Sequence, residues 1–248
     1  MSINLKDVYL EIPVYLPGSD RILKRPQFLT KSVGANVNLS VKAASIKALN
    51  GINLDVQSGV RVGLFGHNGA GKTTLLKVIA GILPVSSGHL EVKGTIGCLL
   101  GNTTFSNELT GSEIIKYYCK IHYPEFDFRS LESDIIDFTE LGDYIHLPAR
   151  VYSNGMRARL YASLSIAMAR DILLIDEGIG AGDLSFQKKF SERLDSFLKS
   201  SSTLLIASHS IDLLKEYCDI GVILNRGSVI FQGDIKETID YYRGNVVS

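Results

Sequence analysis

The sequence has no excess of charge of either sign, since its 26 lysine and arginine residues balance its 26 aspartate and glutamate residues. A chain with no net charge has no overall field that attracts nucleic acid, although this sum does not exclude a local basic patch. The chain begins without a basic segment leading into an apolar one, and no apolar run approaches the roughly 20 residues of a membrane-spanning helix. We therefore expect a soluble, cytoplasmic chain whose partners do not include nucleic acid.

Cysteine is also scarce, and the few cysteines do not form a pattern. The three of them are odd in number and lie far apart, at Cys98, Cys119 and Cys218. This distribution fits buried, reduced thiols better than a disulfide framework or a metal site, and it predicts a reducing compartment. The histidines other than His209 likewise show no pairwise spacing typical of metal ligands.

The composition, with 45% apolar and 21% charged residues in a chain of 248, suits one large α/β domain or two small ones. Alternating apolar residues predict strands over 5–15 and 48–56. The stretch between them, residues 17–47, is poorer in periodic pattern and carries six basic residues against Asp20 alone. It is either a contact for anionic lipid headgroups or a partner's loops, or a solvated connection.

Further along the chain, helical and strand patterns alternate. Paired apolar positions three and four residues apart predict a helical subdomain from 109 to about 146. The remaining pattern predicts helices over 74–80, 154–170, 186–198, 211–217 and 235–242, and strands over 90–99, 172–175, 203–207, 221–224 and 229–231. The prediction is one domain over 1–248, with a nucleotide-binding core at about 1–100 and 166–248 and a helical subdomain at about 101–165.

A phosphate-binding loop is the strongest local signal. The segment Gly66-His67-Asn68-Gly69-Ala70-Gly71-Lys72-Thr73 follows an apolar run and precedes a helical pattern. Glycines let successive backbone N–H groups turn toward phosphates, the helix N-terminus adds positive charge, Lys72 reaches the terminal phosphates and Thr73 offers its hydroxyl to Mg²⁺. A plain glycine turn before a helix is the alternative. The predicted nucleotide-binding residues here are Gly66, His67, Asn68, Gly69, Ala70, Gly71, Lys72, Thr73 and Thr74.

Two further segments carry candidate catalytic groups. The apolar run over 172–175 ends in Asp176 and Glu177, which suits a central parallel strand whose carboxyl end faces a ligand. Asp176 is placed to hold Mg²⁺ and Glu177 to polarise the water that attacks the γ-phosphate, unless the pair only begins a turn. His209 follows another apolar strand and is either a γ-phosphate donor or a solvated loop histidine.

The segment Tyr152-Ser153-Asn154-Gly155-Met156 precedes a long helical pattern. Ser153 or Asn154 either caps this helix, or the helix N-terminus binds a phosphate presented by a second copy of the chain. In the second case two chains share each ATP.

Across residues 5–231 the chain resembles the nucleotide-binding subunit of ABC transporters. The resemblance rests on the order along the chain of the phosphate loop, the segment Tyr-Ser-Asn-Gly-Met, the apolar strand ending in Asp176 and Glu177, the turn Gly180-Ala181-Gly182-Asp183, and His209. The resemblance implies an α/β P-loop ATPase fold with a mainly parallel sheet core, an N-terminal antiparallel β region and a helical subdomain, and it implies ATP and Mg²⁺ as cofactors. It also implies these roles: Walker A, Gly66–Thr73; Walker B, Ile172–Asp176; catalytic glutamate, Glu177; signature, Ser153–Met156; D-loop, Gly180–Asp183; switch histidine, His209. The sequence departs from the family pattern at two positions. The segment where the family has its Q-loop glutamine contains no glutamine, and Asn102 is the candidate to replace it. No aromatic residue lies just before the strand over 48–56, where adenine usually stacks, and Tyr15 or Tyr9 is the candidate substitute.

The Tyr-Ser-Asn-Gly-Met signature, with Glu108–Gly111 and Ile179–Asp183, looks like the branch that exports O-antigen, capsular polysaccharide or teichoic acid. That branch implies an ATP-hydrolysing homodimer, peripheral on the cytoplasmic face of the inner membrane, that drives a separate integral membrane permease and moves a lipid-linked polysaccharide only indirectly. The alternatives are a soluble ABC-type ATPase acting on ribosomes or DNA, and a regulatory nucleotide switch with negligible turnover. The intact Asp176–Glu177 pair argues against the switch.

Overall fold

The computed structural model describes residues 1–14, 36–40, 43–100, 105–122, 127–167, 170–176, 184–198 and 203–245. The chain forms two compact units, one from Met1–Gly94 with Thr203–Ser248 and the other from Thr95–Ser202. Within the described ranges, no helix has both the length and the apolar character needed to span a membrane.

Strands and helices alternate along most of the chain. In chain order they are β1 (Ser2–Val14), β2 (Asn36–Ser40), β3 (Ala43–Gln57), β4 (Arg61–Phe65), α1 (Lys72–Ile79), β5 (Ser87–Lys93), β6 (Ile96–Leu100), α2 (Gly111–His122), α3 (Phe128–Thr139), α4 (Asn154–Ile166), β7 (Ile172–Asp176), α5 (Leu184–Leu198), β8 (Thr203–Ala207), α6 (Ile211–Tyr217), β9 (Ile220–Asn225), β10 (Ser228–Asp234) and α7 (Ile235–Asn245). Short 3₁₀ turns at Gly142–His146 and Ala149–Val151 lie between α3 and α4.

An antiparallel sheet with the strand order β2-β3-β1-β5 forms one layer of the first unit. On β1 the buried apolar residues alternate until Leu5, after which the next buried residue is Val8. The pairing with β3 shifts register at this point, and Asp7 between them has a φ of 47°. A β-bulge therefore restores the apolar face to the core after one extra residue.

The second layer of this unit is built on β4, which pairs in parallel with β8 on one side and with β9 on the other. Strand β10 completes the layer by antiparallel pairing with β9. The side chains of β8 are all buried, as are most of those on β4 and β9, which is typical of strands covered on both faces. The carboxyl ends of β4, β8 and β9 therefore lie at the same edge, where the loops that follow them meet.

The second unit combines the parallel pair β6–β7 with the helices α2 to α5. Its helical core is a cluster of buried residues that includes Ile114, Ile135, Ile145, Tyr152 and Leu160. Ion pairs join α3 and the residue that follows it to α5, Asp134 to Arg193 and Glu140 to Lys189. The predicted fold class, a mainly parallel sheet core with an N-terminal antiparallel region and a helical part, is confirmed.

The predicted strand over 90–99 is wrong as a single element. Gly94 has a φ of 128°, and the chain turns there from β5, in the antiparallel sheet, to β6, which pairs with β7. The helix predicted over 154–170 ends at Ile166, and the Thr95 amide and hydroxyl donate to the Asp171 carboxylate at 2.7 and 3.0 Å. Those bonds hold residue 171 beside the start of β6 in a non-helical conformation. The stretch 17–47, which is poorer in periodic pattern, contains β2 and the start of β3.

Candidate nucleotide-binding site

The phosphate loop (Gly66–Thr73) leaves the carboxyl end of the buried strand β4. Its three glycines have φ values of 142°, 80° and 110°, at Gly66, Gly69 and Gly71. L-residues with a Cβ rarely adopt such values, so glycine is needed for the loop to turn back on itself. The loop is closed by a hydrogen bond of 3.1 Å from the Ala70 amide to the His67 carbonyl.

Helix α1 begins directly after this loop, with Gly71 as its N-cap. Among the described residues no side chain caps the helix, and its first turn contains no acidic residue. The positive end of the helix dipole is therefore not offset by a carboxylate of its own first turn, and it faces the loop. Such a helix start suits an anionic ligand such as phosphate.

Lys72 lies inside the loop, with only 6% of the residue exposed. Its Nζ donates hydrogen bonds to the Gly66 carbonyl at 2.7 Å and to the His67 carbonyl at 3.3 Å. The ammonium group is thus held within the curve of the loop instead of extending into solvent. Thr73, the predicted Mg²⁺ ligand, is exposed at the start of α1.

His209 is brought to the phosphate loop by the order of the parallel strands. Leu64 of β4 is in register with Ala207 of β8, so the loops that follow the two strands start side by side. The Nε2 atom of His209 lies 2.8 Å from Oδ1 of Asn68. The structure therefore brings together two residues that the sequence assigned separately to the nucleotide.

Asp176 is the last residue of β7 and is half-buried, after four fully buried apolar residues. It is in register with Leu100 at the end of β6. Its predicted neighbours in the mechanism, Glu177 and the turn Gly180–Asp183, lie outside the described residues. Their roles therefore stay predictions.

Ser153 caps helix α4, because its Oγ accepts a hydrogen bond of 3.1 Å from the Met156 amide. Asn154 is exposed, and among the described residues a Cβ at Gly155 would meet only Ser153 Oγ, at 3.8 Å, so this part of the chain leaves the start of the helix accessible. Arg157, in the first turn of α4, donates from Nε to the Ala149 carbonyl at 3.1 Å and so secures the preceding turn. Capping is thus observed, while phosphate binding from a second copy stays a prediction.

The adenine-stacking and Q-loop candidates stay predictions. Tyr15 and Asn102 lie outside the described residues. Tyr9 is described, is 37% exposed, and lies over Gly51, where an added Cβ would come within 3.1 Å of its hydroxyl oxygen. Tyr9 therefore remains the described candidate for an aromatic contact with the base.

The turn between β9 and β10 touches the phosphate loop, and its residues were not predicted to have a functional role. His67 Nε2 lies 3.1 Å from Asn225 Oδ1, and the Gly227 amide donates to the Ala70 carbonyl at 2.9 Å. The sequence signals only a turn at Asn225-Arg226-Gly227. Its position beside the phosphate loop depends on β9 being the neighbour of β4.

A family model described as "ABC transporter" matches residues 49–180, more than half of the chain. The chain is 36% identical over 221 residues to the O-antigen export system ATP-binding protein RfbE of Yersinia enterocolitica, covering 88% of this chain and 92% of that protein. It is 37% identical over 205 residues to the teichoic acids export ATP-binding protein TagH of Enterococcus faecalis. That match covers 82% of this chain and 45% of TagH, so the chain spans less than half of that relative.

Solved structures of low sequence identity share the fold. A dimeric ATP-binding cassette bound to ADP and Pi, described as a post-hydrolysis state, superposes with a TM-score of 0.73 at 17% identity. The superposition covers 94% of this chain and 98% of that one. The family model and the match to RfbE show that the chain belongs to the ABC transporter family. The superposition shows that it has the fold of an ATP-binding cassette.

Proposed function

We propose that the chain is the ATP-binding and ATP-hydrolysing subunit of an ABC transporter that powers export of a lipid-linked polysaccharide through a separate permease. The observation that carries the proposal is the phosphate loop with Lys72 held inside it, in a chain similar to RfbE and TagH. The polymer is an O-antigen, a teichoic acid or a capsule-like polysaccharide, and the chain works at the cytoplasmic face of the inner membrane.

ATP fits the groups that the first unit presents. The phosphate loop offers backbone N–H groups, an ammonium group at Lys72 and a helix start whose first turn has no acidic residue. Residues 66–74 hold the phosphates in this proposal. Lys72 offsets charge on the terminal phosphates, where it is already desolvated and needs little reorganisation.

Magnesium is proposed to bind at Thr73 and Asp176. A hydroxyl and a carboxylate are hard oxygen ligands, which suit this cation. Thr73 is exposed at the start of α1, and Asp176 is half-buried at the end of β7. When bound, the ion neutralises charge on the β- and γ-phosphates.

Hydrolysis is assigned to Glu177 and His209 in this proposal. Glu177 orients and polarises the attacking water, and His209 donates a hydrogen bond to the γ-phosphate from its place beside Asn68. The segment Ser153–Met156 of a second copy supplies a further helix start on the other side of the nucleotide. The functional unit in this proposal is a homodimer that binds two nucleotides and docks on the permease.

The test is ATP turnover by the purified chain and by the chain with a membrane protein that co-purifies from its host. Lys72→Ala should remove nucleotide binding and turnover. The matched control is Lys93→Ala, because the Lys93 side chain is 63% exposed and, among the described residues, forms an ion pair with Glu91 on its own strand. Turnover that needs Lys72 and rises with the membrane partner supports the proposal, whereas activation by ribosomes or DNA instead would replace the exporter with a soluble ATPase.

A further inference from the structure

The turn between β9 and β10, residues 225–228, is attached to two other segments. Its Gly227 amide donates to the Ala70 carbonyl in the phosphate loop at 2.9 Å, and its Gly227 carbonyl accepts from the Asn50 amide on β3 at 2.8 Å. Ser228 Oγ donates to the Asn50 carbonyl at 3.0 Å. The turn therefore bridges β3 and the phosphate loop through backbone groups on both sides.

The conformation of this turn leaves little freedom. Arg226 and Gly227 have φ values of 47° and 80°, which is the pattern of a type I′ hairpin turn. An added Cβ at Gly227 would lie 2.7 Å from the Ala48 carbonyl oxygen. The backbone of β3 is thus packed directly against the turn, and Asn225 is presented to the phosphate loop from a rigid base.

His67 connects Asn225 to the loop. Its Nδ1 lies 2.6 Å from the carbonyl oxygen of Asn68, and its Nε2 lies 3.1 Å from Oδ1 of Asn225. Because a carbonyl oxygen only accepts, Nδ1 carries a proton and donates to it. Asn225 Oδ1, which faces Nε2, accepts from a protonated ring. With the amide turned over, its nitrogen donates to Nε2 of a neutral ring, so one asparagine can pair with the ring in both forms.

Asn68 is held from two directions by this arrangement. Its carbonyl accepts from His67, and its side-chain Oδ1 lies 2.8 Å from Nε2 of His209. The chain of contacts runs from Asn225 through His67 and Asn68 to His209. All of its members belong to the first unit.

We propose that Asn225 is a positioning residue for nucleotide binding, acting through His67 to hold the phosphate loop and the Asn68–His209 pair in the binding geometry. The inference rests on the proposed function and deepens it. A loop ordered before the nucleotide arrives loses less conformational entropy on binding, so removing the contact weakens affinity. One such hydrogen bond corresponds to an affinity change of about 3- to 10-fold.

Two substitutions of His67 separate its two contacts. Asparagine at this position places an amide where Nδ1 lies and keeps the bond to Asn68, while glutamine reaches the place of Nε2 and keeps the bond to Asn225. We expect His67→Asn and Asn225→Ala each to raise the dissociation constant for MgADP, measured by calorimetry, by about 3- to 10-fold. His67→Gln should bind more tightly than His67→Asn only while Asn225 is present.

The decisive readout is the coupling between the two positions. His67→Asn combined with Asn225→Ala should lose no more affinity than either variant alone, because both break the same contact. The KM for ATP should rise by a similar factor, with a smaller change in kcat, which a general loss of folding would not produce. If Asn225→Ala unfolds the turn, the comparison of His67→Asn with His67→Gln still tests the contact.

The matched control is Asn53→Ala. Asn53 is an exposed asparagine of the same unit whose amide bonds Asp7, at 2.9 Å, and not the phosphate loop. The inference is overturned if the losses of MgADP affinity at His67 and Asn225 are additive, or if Asn53→Ala loses as much affinity as Asn225→Ala. In either case, binding of MgADP that depends on Lys72 leaves the proposed function standing. A wild-type chain that binds no MgADP overturns both.

Discussion

Alanine at Gly227 tests how firmly the turn after β9 is packed, and alanine at Gly81 provides its control. Both glycines have left-handed φ values, 80° and 72°. An added Cβ at Gly227 would lie 2.7 Å from the Ala48 oxygen and 3.1 Å from the Ala48 carbonyl carbon, both in the backbone of β3. At Gly81 nothing among the described residues lies within 4 Å of the added atom. Both substitutions therefore place an alanine in the left-handed region, and only Gly227→Ala adds a steric clash.

The expected magnitudes follow from these two terms. Holding an alanine in the left-handed region costs about 1–2 kcal/mol, which both variants lose from the free energy of unfolding. Overpacking against a neighbour that cannot move costs a further 1–3 kcal/mol or so, and only Gly227→Ala has it. Gly227→Ala should therefore lose about 2–5 kcal/mol, a large part of the roughly 5–15 kcal/mol that stabilises an ordinary domain.

The assay is urea unfolding followed by far-UV circular dichroism, with amide hydrogen exchange at two reporters of the turn. Those reporters are the Asn50 amide, which donates to Gly227, and the Gly227 amide itself. We expect Gly227→Ala to lower the urea midpoint more than Gly81→Ala and to speed exchange at Asn50. Equal losses in the two variants, with Asn50 protected in both, would refute the close packing of the turn against β3.

Three other predictions address catalysis, a buried thiol and a helix start. Glu177→Gln should keep ATP binding and lower turnover by about 10²- to 10⁴-fold, and a normal rate would remove Glu177 from its role. Burial raises the pKa of the Cys218 thiol from 9.0 to about 12. The stability that the neutral thiol contributes is therefore complete below its ordinary pKa and is lost as pH rises toward 12. Iodoacetamide at pH 9 should label Cys218 slowly in the folded chain and quickly in urea. Thr110 and Glu113 cap the start of α2 reciprocally: Thr110 Oγ1 accepts from the Glu113 amide, and the Glu113 carboxylate accepts from the Thr110 amide and hydroxyl. Thr110→Ala removes the bonds of the hydroxyl and should destabilise the chain by about 1 kcal/mol at pH 7. Hydrogen bonds from the Thr110 amide and hydroxyl lower the pKa of Glu113. The part of the difference that comes from the hydroxyl donating to the carboxylate should be present above the ordinary carboxyl pKa and be lost as pH falls through the lowered value, while the part from the Glu113 amide bond remains. A difference that does not shrink at acid pH would contradict the bond from the Thr110 hydroxyl to the Glu113 carboxylate.

Prediction from sequence worked best where neighbours in the chain act together. The phosphate loop is local, since its glycines, Lys72 and the start of α1 lie within one short segment. The bounds of β8 and α6 were predicted without error for the same reason, because an apolar run and a helical pattern are both properties of adjacent residues. The predicted strand over 90–99 failed because its pattern is continuous across Gly94, where the chain changes sheets.

The sequence by itself determined an α/β fold with a glycine-rich loop before a helix and predicted phosphate binding there, because the loop, the strand before it and the helix after it are encoded by adjacent residues. Only the tertiary structure decided what surrounds that loop. Asn68 and His209 are 141 residues apart, and His67 and Asn225 are 158 apart, yet both pairs are in contact. Which loops meet at the carboxyl edge of a parallel sheet depends on the order of β8, β4 and β9, and no local pattern specifies that order.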